Sequence, residues 1–113
     1  MTADPIAAKA EALWAKRPEL RPLGLKYALS PVSKEMEWWL DDYGITDDDA
    51  HMLIEAACWR ALPWAYHREF VDIDGTLKTY VIERPQRFDE GKMIAQAPSL
   101  TEALIAACME AGQ

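Results

Sequence analysis

Long apolar runs are missing from this 113-residue chain, and so are glycine-rich segments, a cysteine framework and any excess of basic charge. Each absence excludes a class of protein. Apolar stretches such as Ala56-Ala57-Cys58-Trp59 are only a few residues long, against the roughly 18 that a membrane span needs, so no span is expected. Two cysteines, Cys58 and Cys108, fall on apolar helical stripes. They read as buried free thiols, with a disulfide as the alternative. Twelve basic side chains against nineteen acidic ones leave a net charge of −7. Such a chain repels phosphate backbones, so direct nucleic-acid binding is not expected. No glycine-rich loop is present to cradle a phosphate. Met-Thr-Ala-Asp-Pro carries neither the basic nor the apolar stretch of an export signal, which makes the cytoplasm the expected compartment.

What is present suffices for one domain, residues 1–113. Hydrophobic residues make up 50% of the chain, and a chain of this size buries roughly two-thirds of its unfolded surface without a metal or disulfide staple. Asp4-Pro5 predicts a helix start, carried on by Ile6, Ala10, Leu13 and Trp14 and stopped by Pro18. Pro18 to Ser30 has no period and reads as a long irregular connection. Ser30-Pro31 predicts a second helix with the stripe Val32, Met36, Trp39, Leu40 and Tyr43, capped by Gly44. Thr46 caps a third, through Ala50, Leu53, Ile54, Ala57, Cys58, Ala61 and Leu62, and Pro63 ends it.

After Pro63 the period falls to two. Tyr66 to Ile73 and Thr76 to Arg84 flank Asp74-Gly75, the signature of a two-residue hairpin. That turn places Val71, Ile73, Tyr80 and Ile82 on one face and Tyr66, Phe70, Leu77 and Val81 on the other. Asp89-Glu90-Gly91 turns into a third strand, Lys92 to Ala97, and Ser99-Leu100-Thr101-Glu102 is a capping box for a last helix closed by Gly112. The expected fold is α+β: three N-terminal helices, a three-stranded antiparallel meander and a C-terminal helix packed on the sheet.

The net charge is concentrated. Residues 33–55 hold eight acids against Lys34, a balance of −7, while the remainder holds eleven of each sign. Asp47, Asp48 and Asp49 open a helix, where its dipole favours them. Asp41 and Asp42 fall in the last turn of the second predicted helix, where the same dipole opposes them, and that misplacement points to function. Trp38 lies off its helix's apolar stripe beside these acids, as an interface anchor would. The expected partner surface is therefore Glu35, Glu37, Trp38, Asp41, Asp42, Asp47, Asp48 and Asp49, presented to a basic protein. Charge mimicry of nucleic acid, inhibiting a nuclease or polymerase, is the concrete version.

Asp72-Ile73-Asp74-Gly75-Thr76-Leu77 reproduces the nucleophile motif of haloacid dehalogenase-type phosphatases. The resemblance implies attack on phosphorus by Asp72, acid/base work by Asp74 and a bridging magnesium ion. Only 36 residues follow Leu77, and His67-Arg68-Glu69-Phe70-Val71 is too polar for a buried parallel strand. A hairpin turn accounts for Asp74-Gly75, and the magnesium-dependent phosphohydrolase remains the alternative. His51 and Glu55 stand one helical turn apart, but no spacing supplies a third metal ligand.

The meander, the segment Ala97-Pro98-Ser99-Leu100-Thr101-Glu102-Ala103-Leu104 and the alanine-rich last helix resemble small phage and prophage proteins of the phage sandwich type over residues 64–112. The resemblance implies a mobile-element origin and no catalytic residues. The reading that emerges is a small, acidic, non-enzymatic interaction protein with no cofactor and no metal. A homo-oligomeric structural protein with a sheet face at its dimer seam is the further alternative.

Overall fold

The computed structural model describes residues 4–83 and 92–111. Helix α1 (Pro5–Lys16) is followed by a 3-10 turn at Pro18–Leu20 and by strands β1 (Leu25–Leu29), β2 (Met36–Leu40) and β3 (Tyr43–Ile45). Helix α2 (Asp47–Ala61) then leads to β4 (Ala65–Val71), β5 (Leu77–Glu83), β6 (Met93–Ala97) and helix α3 (Leu100–Ala111). The strands form two antiparallel sheets, ordered β1-β2-β3 and β4-β5-β6. Among the described residues no helix is long and apolar enough to cross a membrane.

The architecture is α+β, but the expected run of three N-terminal helices is overturned: the second of them is a pair of strands, and the connection before it contains β1. The cause lies in how residues 30–45 satisfy their backbone. The Ser30 hydroxyl accepts from the Val32 and Ser33 N–H groups, and the Lys34 N–H returns to the Ser30 carbonyl. This closes a loop where a helix start was expected, and Lys34 leaves it with φ +63°. From Met36 the chain alternates. Trp38 and Leu40 face inward, with Trp38 fully buried, while Glu37 and Trp39 face the other way. A buried tryptophan between two outward-facing neighbours suits a pleated surface better than a helix. Gly44, expected as a helix cap, is a strand residue opposite Trp39, whose ring would lie 3.9 Å from an added Cβ.

One hydrophobic core joins these elements. Helix α3 packs against α1, α2, β5 and β6. Ala57 and Cys58 of α2 and Ala103, Ala107 and Cys108 of α3 are all buried, and such small residues allow close helix approach. Cys58 and Cys108 are free and buried, the Cys108 Sγ lying 3.7 Å from the Cys58 carbonyl oxygen. Trp38 joins the first sheet to the helices, edge-on to Trp14 of α1 at 6.3 Å between ring centres and 4.9 Å from Tyr27 of β1.

The β4–β5 register differs from the expected one by a single residue. Val71 pairs with Leu77, not with Lys78, because the connection has three central residues, Ile73, Asp74 and Gly75. The Gly75 N–H bonds the Asp72 carbonyl, and Gly75 takes φ +86°. This is a turn followed by a left-handed residue, the common three-residue hairpin. A one-residue slip exchanges faces, so Tyr66, Phe70, Tyr80 and Ile82 share the outer face and Val71, Leu77 and Val81 the inner one. The turn expected at Asp89-Glu90-Gly91 and the closing Gly112 lie outside the described residues.

Gly24 has φ +81°, a Cβ there would collide with the Asp41 carboxylate, and the Asp41 backbone N–H bonds the Gly24 carbonyl. Gly24→Ala is expected to destabilise the fold by about 1 kcal/mol or more. An unchanged midpoint of urea denaturation would contradict this turn geometry.

Candidate functional site

The expected acidic surface is divided by the fold. Asp41 and Asp42 are not at a helix end; they form the two-residue turn between β2 and β3, with Asp41 at φ +55°. Aspartate is favoured in turns and tolerates this conformation, so the misplacement that pointed to function disappears. Both residues line a depression of about 440 Å³ that Arg21 and Lys26 also line, so cations stand among these acids. Glu35 lies in the loop before β2. Glu37 projects from the outer face of β2, where its carboxylate accepts from the Ser33 hydroxyl at 3.0 Å. Asp47, Asp48 and Asp49 occupy the first turn of α2, whose Thr46 cap accepts from the Asp49 N–H at 3.1 Å.

Trp38 is corrected outright: it is completely buried and cannot meet a partner. Its indole N–H donates to Asp4 Oδ2 at 2.8 Å, and the same oxygen accepts from His51 Nε2 at 2.7 Å. An ionised carboxylate has no proton to give, so the imidazole is the donor. Asp4 Oδ1 caps α1 through the Ile6 N–H, and the Asp4 N–H donates to the Tyr27 hydroxyl. Burial works to raise the Asp4 pKa, but the hydrogen bonds from Trp38, His51 and the Ile6 N–H, with the charge of His51, outweigh it and hold the carboxyl below its usual range.

His51 and Glu55, one turn apart on α2, are drawn to different partners, His51 to Asp4 and Glu55 to the Thr101 hydroxyl at 2.5 Å. His67 lies against Trp59, with 5.7 Å between ring centres. Among the described residues no group of three His, Cys, Asp or Glu side chains is placed to hold a metal ion.

In the phosphatase-like segment, Asp72 accepts from Lys78 Nζ at 2.6 Å and from the Ile73 N–H at 2.8 Å. Asp74 accepts from both the hydroxyl and the N–H of Thr76. Each carboxyl is held below its usual pKa, Asp72 first by the Lys78 hydrogen bond and Asp74 first by the Thr76 hydroxyl. These carboxylates close a turn between antiparallel strands, whereas the phosphatase motif follows a buried parallel strand.

The sequence reading did not find the groove at the edge of α2. Leu40, Ile45, Met52, Leu53 and Ala56 line a cleft of about 430 Å³, with Asp49 in its wall. Helical spacing sets Asp49, Met52, Leu53 and Ala56 in one row, laid over the face of β2 and β3 that carries Leu40 and Ile45. Met52 is 66% exposed, and Tyr43, on that same strand face, is 78% exposed. The Met52 position, off the main apolar stripe, was the one local signal of this groove.

No family model, curated protein or solved structure matches the chain.

A depressed carboxyl pKa stabilises the fold above the unfolded value, about 3.9, and that contribution is lost as pH falls through the folded value. Asp4→Asn is therefore expected to be less stable than the parent at neutral pH, with the gap closing below about pH 4. Urea unfolding from pH 7 to pH 2 measures this. A gap of constant size would show that the ionised carboxylate is not what holds the cluster.

Proposed function

We propose that this chain is a non-enzymatic binding protein that holds a basic, amphipathic segment of a partner protein in the α2 groove. The observation that carries the reading is an apolar cleft, lined by Leu40, Ile45, Met52, Leu53 and Ala56, with the acid Asp49 in its wall and Asp47 and Asp48 in the same helical turn. Exposed apolar surface rimmed by charge of one sign favours a ligand that is apolar on one side and oppositely charged on the other. The positive end of the α2 dipole offsets part of the charge of Asp47, Asp48 and Asp49, so the apolar contacts supply affinity and the acids supply orientation and association rate.

This narrows the wider acidic face. Imitation of a nucleic-acid backbone needs a continuous row of anions, and here Asp41 and Asp42 share their depression with the cations Arg21 and Lys26 while Glu37 lies on the opposite side of the sheet. The partner is accordingly a peptide segment, not a surface built for nucleic acid. The phosphohydrolase alternative is not favoured, because both carboxylates of its motif are engaged within the turn.

A fluorescent Lys/Leu amphipathic peptide, compared by anisotropy with a scrambled peptide of equal charge, tests this reading. Tighter binding of the amphipathic form is expected, weakened at least about tenfold by Met52→Glu and made less salt-sensitive when Asp47, Asp48 and Asp49 are all changed to Asn. Equal affinity for the two peptides, or indifference to Met52→Glu, would overturn it.

A further inference from the structure

The β4–β5 hairpin is unusually bare. β6 pairs only with residues 79–82 of β5, and α3 packs on β5 and β6, so the distal part of the hairpin extends past its cover. It exposes apolar residues on the outer face, the inner face and the tip: Phe70 is 44% exposed, Val71 71%, Leu77 51% and Ile73 fully. Apolar side chains are thus left uncovered on both faces of the arm and at its tip.

β4 is also an open edge. It runs seven residues without proline or bulge, residues 67–71 are all exposed, and among the described residues only one of its sides is paired, with β5. The Asp72 N–H donates to the Thr76 carbonyl. Strand alternation therefore turns the backbone groups of Tyr66, Arg68 and Phe70 toward β5 and sends those of His67, Glu69 and Val71, with the Ala65 carbonyl, to the open side, the Ala65 N–H being bonded to the Leu62 carbonyl. Unpaired edges are templates for another strand, and natural sheets cover or blunt them.

We propose that a second copy of this chain covers this edge, β4 pairing antiparallel with β4 across a two-fold axis at Arg68 to make one six-stranded sheet. Arg68 is the midpoint of Ala65–Val71, so this register overlaps the whole strand. It sets Tyr66 beside the partner's Phe70 on the outer face and His67 beside the partner's Glu69 on the inner face, each pair occurring twice. Aromatic pairs and opposite charges are the cross-strand combinations that stabilise antiparallel sheets. Val71 lands beside the partner's Ala65, which covers the exposed arm with the base of the other copy. The two Arg68 side chains meet at the axis, but each guanidinium lies over its own Phe70 ring at 5.2 Å, a cation–π contact that draws the charge aside. Registers shifted by two residues fit less well: one sets Glu69 against Glu69 and His67 against Val71, the other strands Phe70 and Val71 without partners.

This surface is separate from the α2 groove, so either can fail alone. Sedimentation equilibrium of the full chain is expected to show a dimer. Glu69→Pro removes an N–H that faces the open side and leaves the β5 ladder intact, so it is expected to give a monomer with an unchanged circular dichroism spectrum. Arg68→Cys, with Cys58 and Cys108 buried, is expected to form a covalent dimer under mild oxidation, whereas Lys78→Cys, on the same face but on β5, is not. Glu69→Lys is expected to raise the dimer dissociation constant about tenfold or more, and the exchange His67→Glu with Glu69→His to restore it. A parent chain that sediments as a monomer, or Arg68→Cys and Lys78→Cys crosslinking equally, would overturn the proposal.

Discussion

The Asp4 carboxylate joins four elements at one point. It caps α1, accepts from Trp38 of β2 and from His51 of α2, and its own backbone N–H reaches Tyr27 of β1. Its side chain is 5% exposed. A buried charge is tolerable only when its lone pairs are used, and here both oxygens are engaged. The first sheet is narrow, its third strand three residues long, and it cannot bury enough surface to hold its position alone. Trp38 supplies the apolar part of the attachment, and the indole N–H to Asp4 fixes its orientation. The α2 groove depends on this arrangement, because its floor is β2 and β3 and its wall is α2, and His51 in the first turn of α2 shares the carboxylate that orients Trp38. A change at Asp4 would thus be felt at the groove without touching it.

Local patterns made much of the chain legible. The helix starts at Asp4-Pro5 and Thr46 and the Ser99 hydroxyl that accepts from the Glu102 N–H were readable because a cap is decided within four residues. The meander over β4 to β6 was readable because β-branched and aromatic residues cluster around an Asp-Gly pair. Residues 31–43 were not. Val32, Met36, Trp39, Leu40 and Tyr43 do recur at helical spacing, yet the spacing is incidental: Val32 is 90% exposed, and the buried residue is Trp38, which the helical period excluded. What decided the outcome was β1, a strand the sequence disguised between Pro22, Gly24 and Pro31. Burial of Trp38 and pairing with β1 then overrode the local period, as tertiary context often does. The hairpin register failed for a smaller reason, since Asp-Gly serves two- and three-residue turns alike.

Errors in the element carried through to the site. Placing residues 31–43 on a helix made Asp41 and Asp42 electrostatically anomalous and Trp38 an exposed anchor. In a hairpin, the same two acids are ordinary turn residues, and alternation puts Trp38 inside. The charge balance of residues 33–55 is a property of composition and survives, but a cluster in sequence became three groups in space. Only Asp47, Asp48 and Asp49 keep both their expected place and an apolar neighbour to work with. The six-residue phosphatase motif shows the complementary case. Its letters are right, and its chemistry is decided by which donors the carboxylate oxygens already face.

The two sheets meet the helices in different ways, and this difference organises the surface. The first sheet turns its apolar side inward, with Leu25 and Trp38 buried and Tyr27, Leu40 and Ile45 packed against the core. What it leaves outside is a groove at the edge of α2, concave and bordered by acids. Among the described residues the second sheet is covered chiefly along β5 and β6, where Thr79, Val81 and Ala95 are buried, and at the Ala65 end of β4. β4 therefore carries its exposed residues for most of its length. A concave apolar site admits a segment narrower than itself, whereas a straight strand edge admits only another strand. The two surfaces thus select different kinds of partner, and a chain that pairs through β4 leaves its groove free, since the groove is lined by Asp49, Met52, Leu53 and Ala56 of α2 and by Leu40 and Ile45 of the other sheet.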